Sequence, residues 1–426
     1  MDKESLNNTN KFYLVSYSFL KGGAAIAAEK FSTILSLNLN VNVNKISSDK
    51  AGMAFFIKRL LSFLILKFQF DSNQVKHSLN LFSYSVLLKK MREEPLSIYH
   101  LHWINNDLLS VFNFDRIPKG SIITMHDEWL YCGAEHYYKV TDRDSDFISG
   151  YTFFKKGVYG FHWNFVIWSI KKHKLSKRKD LIFTAPSKWI LGRAKSSFIM
   201  KDLDVRYLPN PIDTSIFQPA DAISIQNFIN SHQINSDDIV LCFGAIGGKA
   251  NHLKGAYLFD EALDILDKEL NISLKDKIVL VDFGGKITQG KIKSFRSLSL
   301  GHISDPNYLS LIYSVANFVV VPSLVESFGQ VAAESLSCET PVVCFDSSGL
   351  RDIVLHKNTG LIAEDFDSNS LSKMIKKMIF MSNEQRSLIG RNGRRHVMNN
   401  FSFSVVAGYY NEIIQDSIEI KRSMSQ

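Results

Sequence analysis

The chain has 426 residues, 45% of them hydrophobic and 22% charged, enough core-forming material for two domains and too much for a disordered chain or a small disulfide- or metal-held scaffold. Its 50 Lys and Arg against 42 Asp and Glu leave a net charge of +8, which favours anionic partners such as nucleotides, phospholipid surfaces or nucleic acid without choosing among them. Cys132, Cys242, Cys338 and Cys344 form no CxxC pair and no metal-ligand spacing, so buried, reduced thiols of a cytosolic protein account for them.

The polar start MDKESLNNTNKF leads straight into a short apolar segment, Phe12–Phe19, without the long apolar core and cleavage site of a signal peptide, so secretion is not expected. A first strand, KFYLVSYS, meets Gly22 and Gly23 and then the helix-like GAAIAAEKFSTIL; the glycines are neither GxGxxG nor a Walker A loop, but they leave room for a phosphate or acceptor. LNLNVNVN, residues 37–44, alternates strictly and predicts a half-covered edge strand. FFIKRLLSFLILKFQF, residues 55–70, carries Lys58, Arg59 and Lys67 and falls short of the roughly 20 apolar residues of a spanning helix. Together with IKKHKLSKRKD, residues 170–180, it fits either a basic helix lying on an anionic membrane or a solvated charged helix beside core aromatics. No recognition motif accompanies the charge, so nucleic acid is not an expected partner.

SIYHLHWIN and then SIITMHDEWLYCGAEHYYK, residues 121–139, place His126 at a strand end beside Asp127, where an imidazole can donate a hydrogen bond or hold a proton near neutral pH. Taken alone, such a histidine is more often structural. Asp127, Glu128 and Tyr137 are weaker candidates for holding hydroxyls, and Trp103 and Trp129 for stacking on a ligand, with core packing the commoner role of such aromatics. Three prolines in LPNPIDTSIFQPADA, residues 208–222, break the pattern and mark a domain boundary, giving 1–210 and 211–402, followed by an amphipathic tail, 403–426.

From Asp238 the strand and helix signals start afresh: DIVLCFGA, KIVLVDFG, NFVVVPS and TPVVCF are continuous apolar runs of strands buried on both faces, alternating with amphipathic stretches. The class is α/β with parallel sheets. In FGAIGGKANHLKGAYLFDEAL, residues 243–263, a strand end meets a Gly-rich loop and Lys249 and Lys254, ammonium groups able to neutralise a phosphate. In residues 315–363 a strand ends at Pro322, Glu326 sits in the next loop, and a helix begins near Gly329. Ser327, Phe328 and Gly329 therefore bring backbone N–H groups and a helix dipole to one place, suited to a diphosphate, and Glu334 follows on that helix. Both glutamates fall at the carboxyl edge of the sheet, where open α/β folds bind ligands.

The spacing Glu326 to Glu334, within ESFGQVAAESLSCETPVVCFDSSGLRDIV, resembles the signature of the retaining family 4 glycosyltransferases, and Lys254-Gly255, Gly22-Gly23, the Asn-Pro-Ile-Asp segment and Thr-Met-His-Asp resemble that family's other landmarks in bacterial surface-polysaccharide transferases. The resemblance implies a GT-B architecture, two Rossmann-like domains facing across a cleft with the helix 403–426 crossing back to the first, acting on a nucleotide diphospho-sugar donor without cofactor or metal. It implies that Glu326 contacts donor-sugar hydroxyls, Glu334 the ribose, Lys254 and the N–H groups near Phe328 and Gly329 the diphosphate, and His126 the acceptor side. Expected partners are a lipid-linked oligosaccharide acceptor of the O-antigen, capsule or exopolysaccharide kind and the anionic inner-membrane surface, with the protein peripheral to its cytoplasmic face. One departure stands out: the Arg that commonly follows the glycine at Gly244 is replaced by Ala245, which leaves Lys249 as a substitute cation or points to a catalytically inactive scaffold subunit.

Overall fold

The computed structural model describes residues 11–423 except 71–72, 74, 139–144, 155–158, 245–251 and 286–287. Contacts divide the chain into two units, Met1–Asn210 with Val406–Gln426, and Pro211–Val405.

The first unit holds strands β1 (Phe12–Val15), β2 (Val43–Ile46), β3 (Gln69–Phe70), β4 (Ile98–Leu101), β5 (Ile122–Thr124), β6 (Tyr159–Gly160), β7 (Ile182–Ala185) and β8 (Asp204–Tyr207). Six of them form a parallel sheet in the order β2-β1-β4-β5-β7-β8, and β3 and β6 make a separate antiparallel pair. FYLV, IYHL and IFTA are buried along their whole length, as parallel strands covered on both faces must be.

The alternating segment 37–44 departs from expectation. The edge strand exists, but β2 starts only at Val43; the helix Gly23–Thr33 runs on as a π turn over Ile34–Asn38, with the Leu39 N–H donating to the Ile34 carbonyl at 3.1 Å. Ile34 and Leu35 are fully buried, and that burial together with the local hydrogen bonds outweighs the period-two pattern until Asn40, at φ 54°, ends the helix. The stretch after residue 52 is the helix Met53–Leu66, and no helix among the described residues is long and apolar enough to cross a membrane.

The C-terminal helix Phe403–Arg422 belongs to the first unit from Val406 on. Val406, Tyr410, Ile413, Ile414 and Ile418 recur at helical spacing and are buried. The Tyr410 hydroxyl bonds His100 Nδ1, its ring packs 5.1 Å from that of Phe31, and Lys421 Nζ donates to the Lys119 carbonyl at 2.7 Å.

The second unit holds β9 (Ile239–Gly244), β10 (Ile278–Phe283), β11 (Thr288–Ile292), β12 (Phe295–Ser299), β13 (Phe318–Val321), β14 (Val342–Phe345) and β15 (Gly360–Ala363). Their order is β11-β12-β10-β9-β13-β14-β15, parallel throughout except for the β11–β12 hairpin. Alternate residues feed two cores: Cys242, Val319 and Val321 pack on one side, Leu241, Phe243 and Val320 on the other. The four cysteines are free and buried, and burial raises every thiol pKa, to about 12 for Cys338, so they behave as small apolar side chains.

Candidate active site

In each sheet the strand order reverses at one place, between β1 and β4 in the first and between β9 and β13 in the second. Connections leave such a point in opposite directions and open a crevice at the carboxyl ends of the strands. Gly22 and Gly23 follow β1, Lys254 follows β9 and Glu326 follows β13, at these two places, and His126 follows the neighbouring β5.

In the second unit, β13 ends at Val321 and the chain passes through Pro322 and Ser323 to Glu326. Gly255, at the start of the helix Ala256–Glu269, lies so close that a Cβ on it would stand 1.8 Å from the Pro322 carbonyl oxygen, and its φ of +64° is itself a glycine conformation. This approach sets Lys254 beside the glutamate: Lys254 Nζ is 2.6 Å from Glu326 Oε1, and Ser323 Oγ donates to the same oxygen at 2.8 Å. Glu326 Oε2 accepts no bond among the described residues. Ser348 Oγ accepts from the Glu326 N–H at 2.8 Å, and the Gly349 N–H donates to the Glu326 carbonyl at 2.9 Å. A side chain on Gly349 would stand 2.8 Å from the Glu326 and Ser327 carbonyls, so only glycine lets this turn support the loop.

The helix Gln330–Ser337 starts from Gly329 with no side-chain cap and no acidic residue in its first turn, so its leading N–H groups and positive dipole end are not neutralised locally. Phe328 turns its ring into the core, 5.4 Å from Phe401, which leaves its backbone for polar contact. Glu334 is buried, with Oε1 accepting from Gln330 Nε2 at 2.7 Å. A carboxylate paired with an ammonium, next to an uncapped helix start, can hold hydroxyls and an anion side by side. Lys249 and Ala245 lie outside the described residues.

In the first unit, the alternation His100, Leu101, His102 at the end of β4 turns both imidazoles to one face, with ring centroids 4.1 Å apart. His102 Nδ1 is 2.9 Å from Nε2 of His126, which follows β5. His102 is buried and its Nε2 has no hydrogen-bond partner among the described residues. A buried N–H without an acceptor is costly, so the proton of neutral His102 is assigned to Nδ1, donating to His126 Nε2; His126 then carries its own proton on Nδ1. Burial lowers the His126 pKa to about 4, against the opposing pull of Asp127, and lowers His100 and His102 well below the usual value. At neutral pH His126 is thus a neutral hydrogen-bond donor of fixed tautomer.

The unfolded chain binds protons on these histidines near pH 6.5 while the folded chain does not, so stability is complete above that value and falls as pH drops toward 4. For His126 the expected loss is about 3 kcal/mol. Urea unfolding at pH 7 and pH 4.5 should show a steeper acid loss in the native chain than in His126→Gln, and parallel curves would refute the assignment.

Asp127 and Glu128, both considered as acceptor contacts, are scaffold groups. Asp127 Oδ2 accepts from His136 Nδ1 at 2.6 Å and from Trp103 Nε1 at 2.8 Å, and Oδ1 from the Trp129 N–H at 3.0 Å. Burial pushes its pKa up, but these donors outweigh that and hold it below the ordinary carboxylate value. Glu128 is fully buried, bonded to Arg193 Nε, to the Tyr131 hydroxyl at 3.0 Å and to the Tyr138 N–H at 2.9 Å. Trp129 is core, and the ring of Trp103 is occupied by Lys76, whose Nζ is 4.0 Å from its centroid. Tyr137 stays partly exposed, and Gly22 and Gly23 stand at the start of the helix Gly23–Thr33, after the loop that follows β1, with open space where a Cβ would be at either.

Residues 224–396 match the family of glycosyl transferases group 1. The group 1 segment contains Lys254, Glu326, Ser327, Phe328, Gly329 and Glu334, and excludes His126, Gly22 and Gly23. Over 120 residues the chain is 33% identical to a capsular polysaccharide biosynthesis glycosyltransferase of Staphylococcus aureus, 27% of this chain and 30% of that protein. Over 254 residues it is 24% identical to a lipopolysaccharide core biosynthesis mannosyltransferase of Rhizobium leguminosarum bv. viciae, 55% of this chain and 69% of that protein. The match thus spans under a third of the first relative and about two thirds of the second. A solved Anabaena protein, HepE, in complex with UDP and glucose superposes with a TM-score of 0.61 at 14% identity, covering 96% of this chain and all of that one. The fold is GT-B, two Rossmann-like α/β domains.

Three supporting groups of the group 1 segment, Ser323, Ser348 and Gly349, do not stand out in the sequence, because a serine two residues past a strand carries no periodicity. His102 was legible in principle: histidines two apart at the end of an apolar run must share a face.

Proposed function

We propose that the protein is a retaining, metal-independent glycosyltransferase that moves a hexosyl group from a nucleotide diphospho-sugar to a lipid-linked oligosaccharide at the cytoplasmic face of the inner membrane, in the assembly of a surface polysaccharide of the O-antigen, capsule or exopolysaccharide kind. The observation that carries this is the Lys254–Glu326 pair beside the uncapped start of the helix Gln330–Ser337, inside the group 1 segment. The capsular and lipopolysaccharide relatives support the choice of pathway.

In this reading Glu326 holds donor-sugar hydroxyls, Glu334 the ribose, and Lys254 with the N–H groups of Ser327, Phe328 and Gly329 the diphosphate, stabilising the charge that grows on the leaving group. Lys249 adds a second cation, the small side of Gly22 and Gly23 admits the substrates, and His126 serves the acceptor side. No side chain stands as an obvious nucleophile among the described residues, so the acceptor hydroxyl attacks on the face the leaving group departs from, its proton passing to the leaving phosphate oxygen.

The test is nucleotide release from UDP-, GDP- and ADP-linked sugars, with and without membranes bearing lipid-linked glycans. Release from one donor only when acceptor is present supports the transferase. Hydrolysis indifferent to acceptor would refute the transferase and the inactive scaffold alike, and silence across the panel with donor bound would replace the transferase with the scaffold reading.

A further inference from the structure

A surface helix ordinarily turns its apolar stripe to the core. In Met53–Leu66 only Phe55 and Ser62 are buried, while Phe56, Ile57, Leu60, Leu61, Phe63 and Leu64 are 43–55% exposed. The neighbouring β3–β6 pair continues the apolar surface: Phe70 pairs with Tyr159, the Phe161 N–H donates to the Phe68 carbonyl at 2.9 Å, and Phe68, Phe70, Tyr159 and Phe161 are all exposed. Trp163 Nε1 ties this pair to the helix through the Ile65 carbonyl at 3.1 Å. A continuous surface of this kind on a folded domain marks an interaction site.

Its charge decides the partner. Between Lys50 and Phe70 there is no Asp or Glu, whereas Lys58, Arg59 and Lys67 lie within the apolar run. Lys67 folds back over its neighbour, Nζ 5.0 Å from the Phe63 ring, the posture of a lysine that lays its stem on apolar surface and keeps its charge at the boundary with water. A second copy of the chain would set these cations against their own equivalents across a two-fold axis. An anionic lipid surface satisfies both the apolar side chains and the cations. A cavity of about 620 Å³ opens at the same surface, sharing Phe63, Leu66 and Phe70 with it and lined besides by Arg59, the exposed Lys76 and Asp107.

We propose that this face docks the protein on an anionic phospholipid bilayer and that the adjoining cavity takes the diphosphate of a lipid carrier, between Arg59 and Lys76. The docking stands without the transferase reading, and the cavity's ligand rests on the lipid-linked acceptor of that reading. Flotation of the full chain with vesicles tests both without turnover. Vesicles of phosphatidylcholine with phosphatidylglycerol should bind about tenfold more tightly than phosphatidylcholine alone, and the preference should shrink in high salt. The variant F56S/L60S/L64S should lose binding by about tenfold or more, and K58E/K67E should lose the preference for anionic lipid, each with unchanged circular dichroism. Equal binding by native chain and variants, or no binding by the native chain, would overturn the docking. A concentration-dependent dimer abolished by F56S/L60S/L64S would assign the face to a second copy instead. Polyprenyl diphosphate, at matched negative charge, should bind better than phosphatidylglycerol, and Lys76→Met should remove that excess alone; no excess would overturn the cavity's assignment. Acceptor-independent nucleotide release with intact vesicle binding would sink the transferase reading and leave the docking standing.

Discussion

Glu326→Gln is expected to lower kcat/KM for sugar transfer by about a hundredfold to a thousandfold, the loss usual for one pre-organised electrostatic group, with little change in stability. The substitution keeps shape and one acceptor oxygen, so Ser323 Oγ retains a partner, but it removes the counter-charge of Lys254, 2.6 Å away. That pairing makes a second outcome informative. Because the two side chains neutralise each other before substrate arrives, a donor must separate their tasks, the carboxylate turning to hydroxyls and the ammonium to the diphosphate. Lys254→Met alone should then cost about as much as Glu326→Gln, and the double variant little more than either. Initial rates under subsaturating donor would show it; additive losses would mean that the two residues act on unrelated steps, and an unaffected Glu326→Gln would remove it from the site.

The reach of the sequence differs between the two units for physical reasons. In the second, nearly every candidate is a consequence of chain order: a buried strand, a loop of fixed length and a helix start bring Glu326 and Gly329 to one sheet edge, and local chemistry shows this without knowledge of distant contacts. What the sequence does not show there is which lysine meets Glu326. That depends on the Gly255 backbone passing against Pro322, a contact between segments more than sixty residues apart. In the first unit the outcome is reversed. Asp127 and Glu128 look available beside His126, but His136, Trp103 and Arg193 come from elsewhere and occupy them. The π turn at Ile34–Asn38 is a similar case, since an alternating pattern reports which residues are apolar and not which of two secondary structures buries them better.

Arg193→Met is expected to destabilise the first unit by about 3–5 kcal/mol, far more than the loss of a surface ion pair. Arg193 reaches from the helix Lys188–Ser196 to Glu128, whose carboxylate is completely buried two residues beyond His126. Its guanidinium also lies 4.4 Å from the Phe147 ring and 5.0 Å from that of Trp189, contacts a methionine can partly replace, so the main loss is electrostatic. Burial already raises the Glu128 pKa against the opposing pull of Arg193. Without the arginine the carboxyl rises further and takes up a proton in the folded state before it does so in the unfolded chain. The variant's deficit should therefore be smallest in acid, below the unfolded value near pH 4.3, and grow as pH rises through the raised folded value. Urea unfolding of Arg193→Met at pH 5 and pH 8 should show the larger deficit at pH 8, and adding Glu128→Gln should recover part of it by removing the unpaired charge. A loss below about 1 kcal/mol, independent of pH, would mean that Glu128 is neutral in the native protein. The hydrogen bonds from Tyr131 and the Tyr138 backbone would then hold the His126 loop, and the ion pair would be incidental to the acceptor side.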